Sequence, residues 1–115
     1  MSTSTEATIE AFNEATNRHD VDAMMALMTD DCIFENTLPT PDGERHVGQR
    51  DVRKFWEKFF RESPNAKFAT EEMVVAGDRA AVRWRFDWGD GHIRGIDLFK
   101  VRDGKVAEKL SYVKG

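Results

Sequence analysis

Residues 85–106 read RFDWGDGHIRGIDLFKVRDGKV, and the way this stretch folds back on itself decides the architecture. Asp90-Gly91 and Asp103-Gly104 punctuate a run that otherwise alternates like half-buried strands. Asp-Gly is the favoured pair for a two-residue type I′ hairpin, which also sets the register of the strands it joins. Between the two turns, Gly95, Asp97, Phe99 and Val101 share one face, and Arg94, Ile96, Leu98 and Lys100 the other. Asp97 therefore lies on the face of Phe99 and Val101. A carboxylate there is costly unless it is paired, neutralised or put to use.

Working outward, the strand runs are 68–76, 79–89, 92–101 and 105–113, an antiparallel meander. A two-residue Asp90-Gly91 turn sets Trp84 opposite Asp97, and a two-residue Asp103-Gly104 turn sets Leu110 opposite Asp97. That register gathers Val82, Trp84, Phe86, Asp97 and Phe99, with Leu110 and Tyr112, on one side. Arg83, Arg85, Asp87, Arg94, Lys100 and Lys109 fall on the outer side. It also turns Glu108 inward beside Phe99, a position that a bulge or a strand edge would relieve. A three-residue Gly89-Asp90-Gly91 loop is the competing reading, and it makes Asp97 the cross-strand partner of Arg83.

The N-terminal half is helical. Ile9, Phe12 and Ala15/Thr16 recur at helical spacing, and Asp20 caps a second helix, VDAMMALM, whose Val21, Met24, Met25 and Met28 read as ordinary packing. CIFE (32–35) reads as a short strand and NTLPTPDGERHVG (36–48) as a loop. QRDVRKFWEKFFRE (49–62) is the clearest helix, with Val52, Phe55, Trp56 and Phe59 in one stripe and Phe60 beside it. The result is one α+β domain over residues 1–115. Three N-terminal helices cover one face of a curved mixed, mainly antiparallel sheet, and residues 1–5 are expected to be disordered.

Composition narrows the function. At 115 residues the chain supports a single core, and a net charge of −4 argues against nucleic acid and anionic membranes as partners. One cysteine, Cys32, excludes an internal disulfide. His19, His46 and His92 are scattered without ligand spacing, so neither a metal nor an organic cofactor is expected. With no apolar run of spanning length and no signal-peptide pattern, a cytoplasmic location is expected.

With the elements placed, the sequence resembles the nuclear transport factor two-like superfamily, in its SnoaL-like and ketosteroid isomerase-like branch. The carriers are NRHDVDAMMALMTDDCIFE, DGERHVGQRDVRKFWEKFF and GIDLFKVRDGKVAEKLSY, in that order over nearly the whole chain. The resemblance implies a cone of curved sheet wrapped by three helices around an apolar pocket, and a homodimer formed through the sheet's outer face. The fold hosts several chemistries, so function rests on the site. Matched to ketosteroid isomerases, the tyrosine position is Phe12, the base position is Asn36, and the second acid is Asp97. The Asp–Arg–Asp set of limonene epoxide hydrolases is poorly matched: Arg85 and Asp87 face outward in this register and the last position is Ser111. SnoaL-like cyclases, which use an acidic residue in an apolar pocket, are matched better.

Asp97 is the candidate catalytic residue, a desolvated acid able to donate a hydrogen bond or a proton; the alternative is simple pairing with Arg83, Tyr112 or His46. Candidate substrate-binding residues are Phe12, Phe34 and Asn36 from the first helix and strand, and His46, Trp56 and Phe59 from the loop and third helix. Trp84, Phe99 and Tyr112 complete the set from the meander. For Trp56 and Trp84 core packing is the competing role, for His46 a solvated loop position, for Tyr112 a rim anchor.

Three functions follow. The first is a cofactor-independent isomerase, cyclase or dehydratase for a hydrophobic metabolite. The second is a non-catalytic binding module, and the third a dimeric interaction domain with a filled core. A cavity holding Asp97 and a second proton-transfer group favours the first, Asp97 alone the second, and a closed core the third. In the expected dimer, Arg83, Arg85 and Arg94 meet Asp87 and Glu72 across the symmetry axis.

Overall fold

A computed structural model describes residues 4–115. Its helices are α1 (Thr5–Asn17), α2 (Val21–Ala26) and α3 (Gln49–Glu62). Its strands are β1 (Met28–Glu35), β2 (Arg45–Val47), β3 (Lys67–Ala76), β4 (Arg79–Asp87), β5 (His92–Arg102) and β6 (Lys105–Val113). The strands form one curved sheet in the order β2-β1-β6-β5-β4-β3, antiparallel throughout except where β1 runs parallel to β6. The α+β arrangement of three helices on a mostly antiparallel sheet is thus the one the meander predicts.

Local chemistry explains the element ends. Ser4 Oγ accepts from the Ala7 N–H at 3.0 Å and caps α1, and Asp20 Oδ1 accepts from the Ala23 N–H at 3.0 Å and caps α2. Disorder was expected over residues 1–5. Residues 1–3 lie outside the described residues, whereas Ser4 and Thr5 belong to the capped start of α1. Met28 falls in β1 rather than in α2, and the expected 36–48 loop contains the short β2. Val52, Trp56 and Phe60 of α3 are buried against Ile9 and Phe12 of α1, Met24 and Met25 of α2, and Phe34, Val82 and Phe99 of the sheet. Each such side chain contributes about 1.5–3 kcal/mol on burial. No helix among the described residues is long and apolar enough to cross a membrane.

The two hairpins of the meander differ from expectation in opposite ways. Between β4 and β5 the loop has four residues, Trp88–Gly91, closed by the Trp88 N–H on the Gly91 carbonyl at 3.2 Å. Asp97 therefore faces Val82, and Trp84 faces Gly95. The pairing has slid by two residues, which returns every side chain to the face expected of it.

Between β5 and β6 the Asp103-Gly104 turn is as expected, with φ of 54° and 73° at its two residues. Beyond it the register shifts: Val101 faces Val106, but Lys100 faces Glu108, leaving Ala107 as the extra residue of a bulge. From there on the faces of β6 exchange. Lys109 and Ser111 turn inward, Glu108 sits opposite Lys100 on the outside, and Tyr112 is 56% exposed.

The outer face carries several ion pairs within the chain. Arg83 pairs with Glu72 at 3.2 Å, Arg85 with Asp87 at 3.1 Å and Arg94 with Glu71 at 2.9 Å, all within one chain. Beside these pairs the outer face also exposes apolar side chains, Ile96, Leu98 and Tyr112.

Candidate functional site

Between α3 and the concave side of the sheet lies a cavity of about 410 Å3. Phe55, Trp56 and Phe59 wall it from the helix, and Phe34, Phe68, Trp84 and Phe86 from the strands. Its solvent end carries the exposed Leu38 and Ile93 together with Glu44, Lys58 and Glu62. Its inner end is polar and consists of Asp97, Lys109 and Ser111. A second void of about 30 Å3 touches the same Asp97 and Lys109, along with Trp56 and Trp84.

The inner end is a closed set of hydrogen bonds. Asp97 Oδ1 accepts from Trp84 Nε1 at 2.9 Å and from Ser111 Oγ at 2.6 Å. Asp97 Oδ2 lies 3.1 Å from Lys109 Nζ, and Lys109 Nζ donates to Ser111 Oγ at 3.3 Å. The ammonium also sits over the faces of Phe34, 4.8 Å from the ring centroid, and Trp56, at 5.4 Å. Both charged residues are buried, at 6% exposure for Asp97 and 7% for Lys109.

This geometry answers the question raised by Asp97 in a way the sequence reading did not offer. An ammonium and an indole N–H are donors only, so each Asp97 oxygen faces a group that can only donate. Asp97 is held as a carboxylate acceptor, not as the neutral, proton-donating acid anticipated. Its partner is none of Arg83, Tyr112 or His46 but Lys109, which the unbulged register had placed outside. The Ala107 bulge is the reason.

Gly95 makes the Trp84 contact feasible. A Cβ at this position would lie 2.4 Å from the Trp84 ring and 2.2 Å from the Tyr112 carbonyl. Glycine therefore lets the indole lie flat across β5 and reach Asp97 on the same face.

Of the other sequence-predicted residues, Phe34, Asn36, Trp56, Phe59 and Trp84 line the cavity. Phe12 and Phe99 do not. They are fully buried and meet edge to face at 6.2 Å, as part of the core behind the site. His46 lies one layer back from the cavity, with its ring 6.2 Å from Phe34 and 5.2 Å from Phe55 and its Nε2 3.0 Å from Glu44 Oε1. Tyr112 is on the opposite face of the sheet, sent there by the bulge. The sequence reading missed Lys109 and the lining role of Ser111, and also Phe55, Phe68 and Phe86. A lysine and a serine two apart carry no signal while the strand is read without its bulge. Cys32 is buried, and desolvation pushes its thiol up from the ordinary value, consistent with a packing role. Among the described residues no group of three His, Cys, Asp or Glu side chains is placed to hold a metal ion.

Comparison with known proteins gives a consistent picture. The sequence profile of the SnoaL-like domain matches residues 9–109. A solved NTF2-like protein of unknown function from Mesorhizobium loti is 40% identical, over 96% of this chain and 91% of that one, with a TM-score of 0.85. A ketosteroid isomerase candidate from Kribbella flavida shares the fold at 22% identity, covering 96% of this chain and 78% of that one, with a TM-score of 0.82. A SnoaL-like polyketide cyclase candidate from Shewanella putrefaciens does so at 16% identity, 95% and 79% coverage, and a TM-score of 0.83. No curated protein matches the chain.

Proposed function

We propose that this chain, which belongs to the SnoaL-like domain family, binds an apolar, carbonyl-bearing small molecule and moves a proton on it, giving isomerisation, cyclisation or dehydration. One observation carries the reading: a 410 Å3 aromatic-walled cavity ends on a carboxylate with a second proton-transfer group 3.1 Å away. Asp97 alone would favour a binding module, and a filled core an interaction domain. In the proposed reaction Asp97 is the base. Its carboxylate takes a proton from the carbon beside the carbonyl, the electron pair passes to the carbonyl oxygen, and the proton returns at a new position. The names of the Kribbella and Shewanella proteins, an isomerase and a cyclase candidate, support the same class of chemistry.

The test is exchange of α-protons for deuterium, followed by NMR, over a panel of enolisable bicyclic ketones. The wild-type protein should accelerate exchange of at least one ketone by about 100-fold or more, the lower range for a positioned acid or base. Asp97→Asn should abolish that acceleration. Ketones that bind without faster exchange would overturn the catalytic reading and leave the binding module. That alternative draws on one observation, that three donors already engage the two Asp97 oxygens.

Two copies are further proposed to pair through the outer sheet face, around Ile96, Leu98 and Tyr112, whose exposed apolar side chains support this assignment. Sedimentation as a monomer at micromolar concentration would overturn it.

A further inference from the structure

We infer that Lys109 recognises an acceptor oxygen on the ligand, and that the cavity consequently selects neutral carbonyl compounds over hydrocarbons and carboxylates of the same shape. The inference rests on the proposal that the cavity binds a small molecule, but not on turnover.

Lys109 is the only buried lysine among the described residues, and it lies at the inner end of the cavity. Its ammonium has three protons and no acceptor capacity. One is directed to Asp97 Oδ2 and one to Ser111 Oγ. What remains of its coordination is filled by the π-faces of Phe34 and Trp56, both cavity walls. An aromatic face is a weaker partner for a desolvated ammonium than an oxygen is, so an acceptor delivered through the cavity improves on the empty state.

Ser111 cannot take the same part. Its proton is committed to Asp97 Oδ1 at 2.6 Å, and its lone pair receives Lys109. Ser111 is a positioning residue that fixes the ammonium from a second side.

Charge sets the rest of the preference. Asp97 cancels the charge of Lys109 at the inner end, so an anion gains little there. At the solvent end Glu44 and Glu62 outnumber Lys58, which disfavours a carboxylate on the way in. A ligand cation finds the same cancelled charge at the inner end, with both Asp97 oxygens already engaged. A donor-only ligand finds Asp97 already engaged by Trp84, Ser111 and Lys109. A neutral acceptor is what remains, and the walls require the rest of that molecule to be apolar.

Three probes with one bicyclic frame test this: 1-tetralone, tetralin and tetralin-1-carboxylate, with binding followed by calorimetry. The wild-type protein should bind the ketone at least tenfold more tightly than either of the others. Lys109→Met should bring the ketone down to the affinity of tetralin while leaving tetralin unchanged. Equal affinity for ketone and hydrocarbon, preference for the carboxylate, or retention of the ketone preference in Lys109→Met would each overturn the inference. Since Lys109→Met leaves a buried carboxylate unpaired and can fail to fold, a second measurement uses the wild-type protein alone. The carbonyl 13C resonance of bound, labelled 1-tetralone should move downfield of its position in a hydrocarbon solvent, and no such movement would also overturn it. Binding of none of the three probes would defeat the ligand-binding proposal itself, whereas indiscriminate binding defeats only this inference.

Discussion

The β4–β5 and β5–β6 hairpins sit side by side and share a strand, yet they respond differently to added residues. In the first, the loop is two residues longer than an Asp-Gly turn requires, and Val82, Trp84 and Phe86 still face inward with Asp97. In the second, the turn has its expected length, but the single extra residue Ala107 exchanges the faces of the strand beyond it. Side-chain direction alternates with period two, so an even change slides the ladder and an odd change inverts it. The chemistry of the site depends on the odd one.

The strongest way to break this contrast is to insert one alanine after Ala107. With β6 keeping a single bulge, the shifted ladder would turn Glu108 inward opposite Phe99 and expel Lys109, leaving Asp97 buried without its cation. We expect a loss of about 4–5 kcal/mol or more, read by urea denaturation, because such a variant combines an unpaired buried charge with disrupted packing. Lys109→Met removes the cation without touching the register and should cost about 3–5 kcal/mol in the same measurement. The double variant Asp97→Leu/Lys109→Met should recover most of that loss, since two apolar groups leave nothing unpaired. Failure to recover would mean that Lys109 stabilises the fold by some route other than Asp97.

Gly95→Ala comes next. Its Cβ would collide with the Trp84 ring, so overpacking of about 1–3 kcal/mol is expected. The Trp84 indole N–H resonance should shift as the hydrogen bond to Asp97 is lost. By contrast, removing Trp88 and Gly89 leaves Asp90-Gly91 as a two-residue turn between the same Asp87–His92 pair. The faces are unchanged, and the cost should be about 1 kcal/mol or less. A large loss from that even deletion would undo the contrast between the hairpins.

The smallest effect lies outside both hairpins' inner faces. A hydrogen bond from Arg102 at the end of β5 holds the exposed Asp31 carboxyl below its ordinary value of 3.8. A depressed carboxylate pKa means that the contribution is present above the ordinary value and is lost as pH falls through the folded-state value. Asp31→Asn should therefore lower stability slightly at neutral pH, and the difference from wild type should vanish in acid. Comparing the two melting curves across that range checks the sign.

Much of the architecture was legible because it is written in local periodicity. The α3 stripe of Val52, Phe55, Trp56 and Phe59, the cap Asp20, and the alternation of β4 and β5 each declare an element or its buried face. The resemblance carried by those same segments pointed to the family that the profile match identifies. That Asp97 needs a partner was legible too, since it is an acid among apolar neighbours. The partner was not. Val106 and Ala107 are both small and apolar and both buried, so nothing in the letters says which of them is the inserted residue. Only the tertiary demand that Asp97 meet a cation, and that Glu108 escape the core, selects the bulge. Phe12, Phe99 and His46 were misplaced for another reason. A residue on an inward face can line the cavity or fill the layer behind it, and periodicity does not distinguish depth.

The Ala107 bulge bears on how such a pocket diversifies. Strand β6 holds two alternative lining sets one pleat apart, Lys109 with Ser111 and Glu108 with Leu110 and Tyr112. Point substitution alters one member of a set at a time, passing through intermediates with a buried charge left alone. A one-residue insertion near the turn, with β6 keeping a single bulge, exchanges the whole set in a single genetic event. Within this architecture, gaps of one residue in β6 are the places where related sequences should be expected to change chemistry, even when every surrounding letter is kept.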